Sequence, residues 1–215
     1  MRSSPDVGTQ SARGLTAAGR RLQRLGLVGA VAAGGLVWGA PALAASVPNS
    51  QQLQASLLTV QKLPIGWAKA GSNSPTTKSC YSNPIWKVPY TARARAAFEM
   101  NQSVPQLVEL LASYQNAHAA YQQVVANLNR CSSFSETVQG QKITGTLSPV
   151  SNRRFGNESS SYTANLTVQG TVLDQEFVIA RKGSTVAAVA VGDYGIVDGQ
   201  LLNGLTTKAM RLIPA

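Results

Sequence analysis

Two cysteines, Cys80 and Cys131, constrain this chain more than any other pair of residues. Fifty residues separate them. A shared metal is a poor explanation, because zinc asks for three or four ligands and His118 is the only histidine. Whether the two sulfurs pair depends on where the chain goes, since disulfides persist outside the reducing cytosol.

The N-terminus answers that question. Arg2, Arg13, Arg20, Arg21 and Arg24 precede an uncharged run from Leu25 to Ala40. Pro41-Ala42-Leu43-Ala44 then sets small residues where a signal peptidase reads. A basic leader, an apolar stretch and an A-x-A site describe a secretory signal, with the cut expected after Ala44. A retained anchor is the alternative, but the glycines and alanines of the run suit it poorly, since a span needs about 20 strongly apolar residues. Arg20-Arg21 is a twin arginine, yet Gln23-Arg24 follows where apolar residues would be wanted. No cysteine near the cut could carry a lipid. Export makes a Cys80–Cys131 disulfide the expected state, and closing so long a loop is worth about 4 kcal/mol in the chain-entropy model.

Without residues 1–44 the expected mature chain, 45–215, has 171 residues, a single-domain length with room for a real core. It keeps 14 basic and 8 acidic residues, so the formal charge drops from +10 to +6. The remaining cations are scattered, paired only at Arg153-Arg154 and Arg181-Lys182. Nucleic-acid binding calls for a basic stripe, which is missing. A weak attraction to anionic envelope polymers or lipid headgroups remains open.

Local patterns suggest the elements. Asn49-Ser50 can cap a short helix to about Gln61, with Leu53, Leu57, Leu58 and Val60 inward. Leu63-Pro64-Ile65-Gly66-Trp67 ends it, and residues 70–89 read as a polar loop containing Cys80 and Trp86. Thr91 to Met100 alternates as a strand. From Val104 to Arg130 the spacing of Leu107, Leu110, Leu111, Tyr114, Ala117, Tyr121, Val124, Val125 and Leu128 predicts one long helix. Strands are expected near 133–138, 142–147, 162–169, 177–180 and 185–191, with a hairpin turn over Arg181-Lys182-Gly183-Ser184. Pro149 to Ser159 and Gly192 to Gly199 read as connections, and 200–212 as a closing helix. The class is therefore α+β: a curved antiparallel sheet of about five or six strands, with N-terminal, long central and C-terminal helices packed on one face.

Several phrases carry a family resemblance. Leu57-Leu58 leads into Leu63-Pro64-Ile65-Gly66-Trp67, then comes Cys80, then a segment ending in Cys131. Val178-Ile179-Ala180-Arg181-Lys182-Gly183 followed by Val186 completes the set. Across residues 53–213 the chain resembles the PknH-like sensor domain of actinobacteria, the extracytoplasmic part of a serine/threonine kinase that also occurs in secreted proteins and lipoproteins. The resemblance implies a curved sheet with helices forming an apolar cleft for an envelope ligand. A second disulfide, frequent in that family, has no cysteines here.

Site chemistry is sparse. His118 could act as a general base, although such a histidine is more often exposed or quietly hydrogen-bonded. No G-x-S-x-G elbow occurs. Asp174 with Glu176, and Asp193 with Asp198, are the closest carboxylate pairs, and both fit ordinary turn chemistry. No catalytic residue, metal or cofactor is expected. The residues expected to line a ligand site are Trp67, Trp86, Tyr114, His118, Tyr121, Arg153 and Tyr162, because clustered rings suit lipids and glycans and arginine suits an anionic headgroup. The expected function is a secreted, monomeric, non-enzymatic sensor-like domain of the cell envelope that binds a lipid or glycan. The alternatives are an envelope hydrolase using His118 with a loop carboxylate, and a protein-partner adaptor.

Overall fold

The computed structural model describes residues 46–71, 79–101, 104–138 and 140–214. The leader and its cleavage position fall outside them, as does part of the expected polar loop. Helix α1 (Ser50–Ala55) opens on a reciprocal cap: the Gln52 N–H donates to Asn49 Oδ1 at 3.0 Å, and the Asn49 N–H donates to Gln52 Oε1 at 2.8 Å. It is shorter than its sequence pattern suggests, and a separate 3-10 turn over Val60–Lys62 leaves Val60 exposed. Strands β1 (Trp67–Lys69), β2 (Ala92–Met100) and β3 (Gln106–Ser113) follow, then α2 (Ala117–Asn129). Five strands come next: β4 (Ser133–Val138), β5 (Gln141–Val150), β6 (Glu158–Val168), β7 (Thr171–Lys182) and β8 (Thr185–Asp193). Helix α3 (Gly199–Leu212) closes the chain.

The eight strands form one antiparallel sheet in the order β1-β2-β3-β8-β7-β6-β5-β4, two or three more than the sequence pattern suggests. The long central helix also needs correcting. Its first half is β3, paired with β2 through Leu107↔Phe98 and Leu111↔Ala94, and with β8 through Leu107↔Val191 and Leu111↔Ala187. The cause is burial on both sides. Leu107 and Leu111 belong to one core, while Leu110 and Ala112 belong to the other. A strand covered on both faces carries apolar residues at nearly every position, and such a run satisfies helical spacing as easily as strand spacing.

The helices therefore do not share one face. Leu53, Leu57 and Leu58 in and after α1, with Leu202, Leu205, Ala209 and Met210 of α3, pack on one side with Trp67, Phe98, Val178 and Val189. Tyr121, Val124 and Leu128 of α2 pack on the other with Leu110, Tyr162, Phe177, Ile179 and Ala188. Gly183, at φ +57°, and Ser184 make the tight turn from β7 to β8, as the sequence suggests. The expected connection over 149–159 is shorter, since β5 runs to Val150 and β6 starts at Glu158.

Candidate functional site

On the face that carries α2, two alanines of β8 stand among larger side chains. Leu110 pairs with Arg95 on one side and Ala188 on the other, and Val108 pairs with Ala190, which in turn faces Phe177. Ala188 and Ala190 leave a depression between larger neighbours. Residues 81–84 lie over it, leaving an open-mouthed cavity of about 180 Å³ lined by Tyr81, Ser82, Asn83, Pro84, Arg95, Val108, Leu110, Gln175, Phe177, Ala188 and Ala190.

The roof is held at both ends. Cys80 is disulfide-bonded to Cys131, just beyond α2, with Cα atoms 5.7 Å apart. The Ser79 N–H donates to Glu136 Oε2 on β4 at 3.0 Å, and Lys87 Nζ donates to the Ser79 carbonyl. Tyr81 packs its ring 4.6 Å from that of Phe134. Burial, helped by the Glu136 charge, pushes the Tyr81 phenol up to about 12. Downstream, Ile85 is buried on a 3-10 turn over Pro84–Lys87, and its carbonyl accepts from the Tyr114 hydroxyl. Gly145 makes this arrangement possible: a Cβ there would lie 2.4 Å from Phe134 Cζ. The ring that supports Tyr81 rests on that bare backbone.

A family model for the PknH-like extracellular domain matches residues 70–213. The chain belongs to that family. Its fold is similar to the extracellular domain of PknH from Mycobacterium tuberculosis, with a TM-score of 0.53 at 14% identity over 77% of this chain and 98% of that one. A search of the curated proteins found no match. The family's extracellular character and the Cys80–Cys131 disulfide both indicate an extracytoplasmic location.

This PknH-like domain does not gather the seven sequence-selected residues into one site. Trp67 is buried on the opposite face, among the residues under α1 and α3. Tyr114, Tyr121 and Tyr162 are 2%, 5% and 1% exposed, so their rings pack the core beneath α2. Their hydroxyls reach Ile85 O, Ser160 Oγ at 2.8 Å and Asn129 Oδ1 at 3.0 Å. Trp86 is half-buried, and its indole N–H points to Leu111 O at 3.4 Å while the Arg93 guanidinium stands 4.7 Å from its ring centre. Arg153 stacks on Phe155 and, with Arg154 and a second sequence-selected residue, Tyr162, lines a second, polar cavity of about 350 Å³ between β5, β6 and the end of α2.

His118 is an exposed partner in a charge cluster on the PknH-like domain's surface. Its Nδ1 lies 3.0 Å from Glu158 Oε2, which also accepts from Arg181, while Gln122 donates to Glu158 Oε1 at 2.9 Å. Partial burial would raise the Glu158 carboxyl, but the His118, Arg181 and Gln122 hydrogen bonds and the Arg181 charge outweigh it and hold the group at about 2. Asp193 and Asp198 each accept a nearby backbone N–H, from Tyr194 and Gln200. Asp174 accepts from Asn165, and Glu176 is displaced upward by burial and by the Asp174 charge.

Arg95, Ala188, Ala190 and Tyr81 carry no local sequence pattern that by itself marks a site. One signal was available: in the Ala-Arg-Ala-Arg run of β2, alternation sends Arg93 and Arg95 to the same face.

Proposed function

We propose that this is a non-catalytic, sensor-type domain of the cell envelope, whose cavity under residues 81–84 receives the apolar part of an amphipathic envelope molecule. The observation that carries this reading is the floor of Val108, Leu110, Phe177, Ala188 and Ala190 beneath a roof tethered through Cys80. Apolar side chains with a few convergent polar groups are what small-molecule sites are generally built from, and here Gln175, Asn83 and Arg95 supply the polar groups. Membership in an extracellular sensor-type family agrees with such a role. Against the hydrolase alternative, His118 contributes to the Glu158 cluster and lines neither cavity described above.

The test is native mass spectrometry of protein exported by its own host, alongside Ala190→Phe, which fills the cavity from its floor. Wild type should carry a lipid or glycolipid that Ala190→Phe has lost while melting at an unchanged temperature. Identical spectra from the two proteins would remove the cavity from consideration.

A further inference from the structure

Arg95 lines this cavity with no counter-charge within ion-pair distance among the described residues. Among the described residues, the ion pairs are those of Glu158 with His118 and with Arg181. The carboxylate of Glu136, nearest the roof in the chain of contacts, is engaged by the Ser79 N–H. Arg93, on the same face of β2, is committed to the rings of Trp86 and Tyr90 at 4.7 and 5.4 Å. Arg95 is half-buried, and the side chains sharing its cavity are uncharged. A half-buried guanidinium gives up part of its hydration, a loss that a bound anion would offset, and a planar fork of N–H donors suits a carboxylate or a phosphate.

We propose that Arg95 binds the anionic head, carboxylate or phosphate, of an amphipathic ligand whose apolar part lies against Val108, Leu110, Phe177, Ala188 and Ala190. The proposal rests on the cavity reading above and adds to it the charge of the ligand. Burial weakens the hold of Arg95 on its proton, the direction expected of a cation kept from solvent. The cavity's size limits what enters. About 180 Å³ exceeds the roughly 150 Å³ that encloses benzene and falls below the roughly 300 Å³ at which pockets surround a whole drug-sized ligand. One ring or a short stretch of chain enters, and the rest of the molecule stays outside.

Calorimetric titration of the full domain with decanoate, decyl phosphate and decanol tests this, using wild type, Arg95→Met, Arg95→Lys and Ala190→Phe. Wild type should bind one or both anions roughly 10- to 100-fold more tightly than decanol. Arg95→Met should erase that preference while leaving decanol binding intact, and Arg95→Lys should keep part of it. The stronger of the two anions identifies the headgroup as carboxylate or phosphate. Equal binding of all three probes, unaltered in Arg95→Met but lost in Ala190→Phe, would overturn the anion and leave the cavity standing. Absence of binding by every probe, or binding unaffected by Ala190→Phe, would overturn both.

Discussion

Cys80 and Cys131 fasten the beginning of the cavity roof to the turn between α2 and β4. The bond joins two segments that the sheet alone would not hold together, because residues 79–87 contribute no strand. Replacing both cysteines by serine should therefore lower stability by about 2–4 kcal/mol in urea unfolding. Proteolysis of the double variant should begin between residues 79 and 88. Unchanged stability and an unchanged cleavage pattern would show that the roof is held without the covalent link.

Glu109 predicts an inverted pH response. It is 0% exposed on the α1 side of β3; its Oε2 accepts the Leu58 N–H at 2.7 Å, and its Oε1 has no partner among the described residues. Burial raises its pKa from 4.5 to about 7, against the downward pulls of the Leu58 hydrogen bond and the Lys62 charge. With the folded value above the unfolded one, the native state binds the extra proton in that window. Its contribution is complete below pH 4.5 and is lost as pH rises through about 7. Glu109→Gln keeps an oxygen for Leu58 and carries no charge. It should be about 1–3 kcal/mol more stable than wild type at pH 8, with the difference shrinking toward pH 4.5. Parallel urea melts at the two pH values provide the check, and a variant weaker at both would contradict the assignment.

Two glycines should respond to alanine in opposite directions. Gly156 has φ +61°, and a Cβ there would lie 2.3 Å from the Arg181 carbonyl oxygen and 2.8 Å from Met210 Cε. Both the backbone conformation and the contact resist a side chain, so Gly156→Ala should cost about 2–3 kcal/mol. Gly204 lies on the exposed side of α3, where a Cβ meets nothing within 4 Å. Gly204→Ala should add about 0.5–1 kcal/mol. Thermal melts of the pair displaced in the same direction would refute this account.

Lys182 is fixed by its hydrogen bonds. Its Nζ donates to the Met210 carbonyl at 3.0 Å and to the Ile213 carbonyl at 2.6 Å, closing the end of α3 where carbonyls lack intrahelical partners. Lys182→Met should cost about 1–2 kcal/mol and raise amide exchange in residues 209–213 ahead of the rest of the domain. Uniform exchange along α3 would show that the amine carries no such role.

Much of the site went unread in the sequence for one reason. Rings suit ligands and cores alike. The spacing of Tyr114 and Tyr121 already favours the core, and hydroxyls satisfied by Ile85, Ser160 and Asn129 place them and Tyr162 there, with Tyr162 also bordering the second cavity. The cavity arises instead from what is missing: the short side chains of Ala188 and Ala190 beneath a loop anchored 51 residues away from its cysteine partner. An alanine in a strand announces nothing until its neighbours across the sheet are known.

Short-range chemistry settled what the sequence could determine alone. The reciprocal Asn49–Gln52 cap, the Gly183-Ser184 turn and the alternation of β2 depend on residues a few positions apart, whose energetics do not wait for the rest of the chain. The disulfide, too, was legible from two cysteines and the leader expected before them. The strand identity of residues 106–113 and the distribution of helices over two faces were decided only by tertiary structure. So were the raised pKa of Glu109 and, among the described residues, the lack of a counter-charge for Arg95. Each depends on what covers a residue from a distant part of the chain, and burial is a property of the assembled sheet.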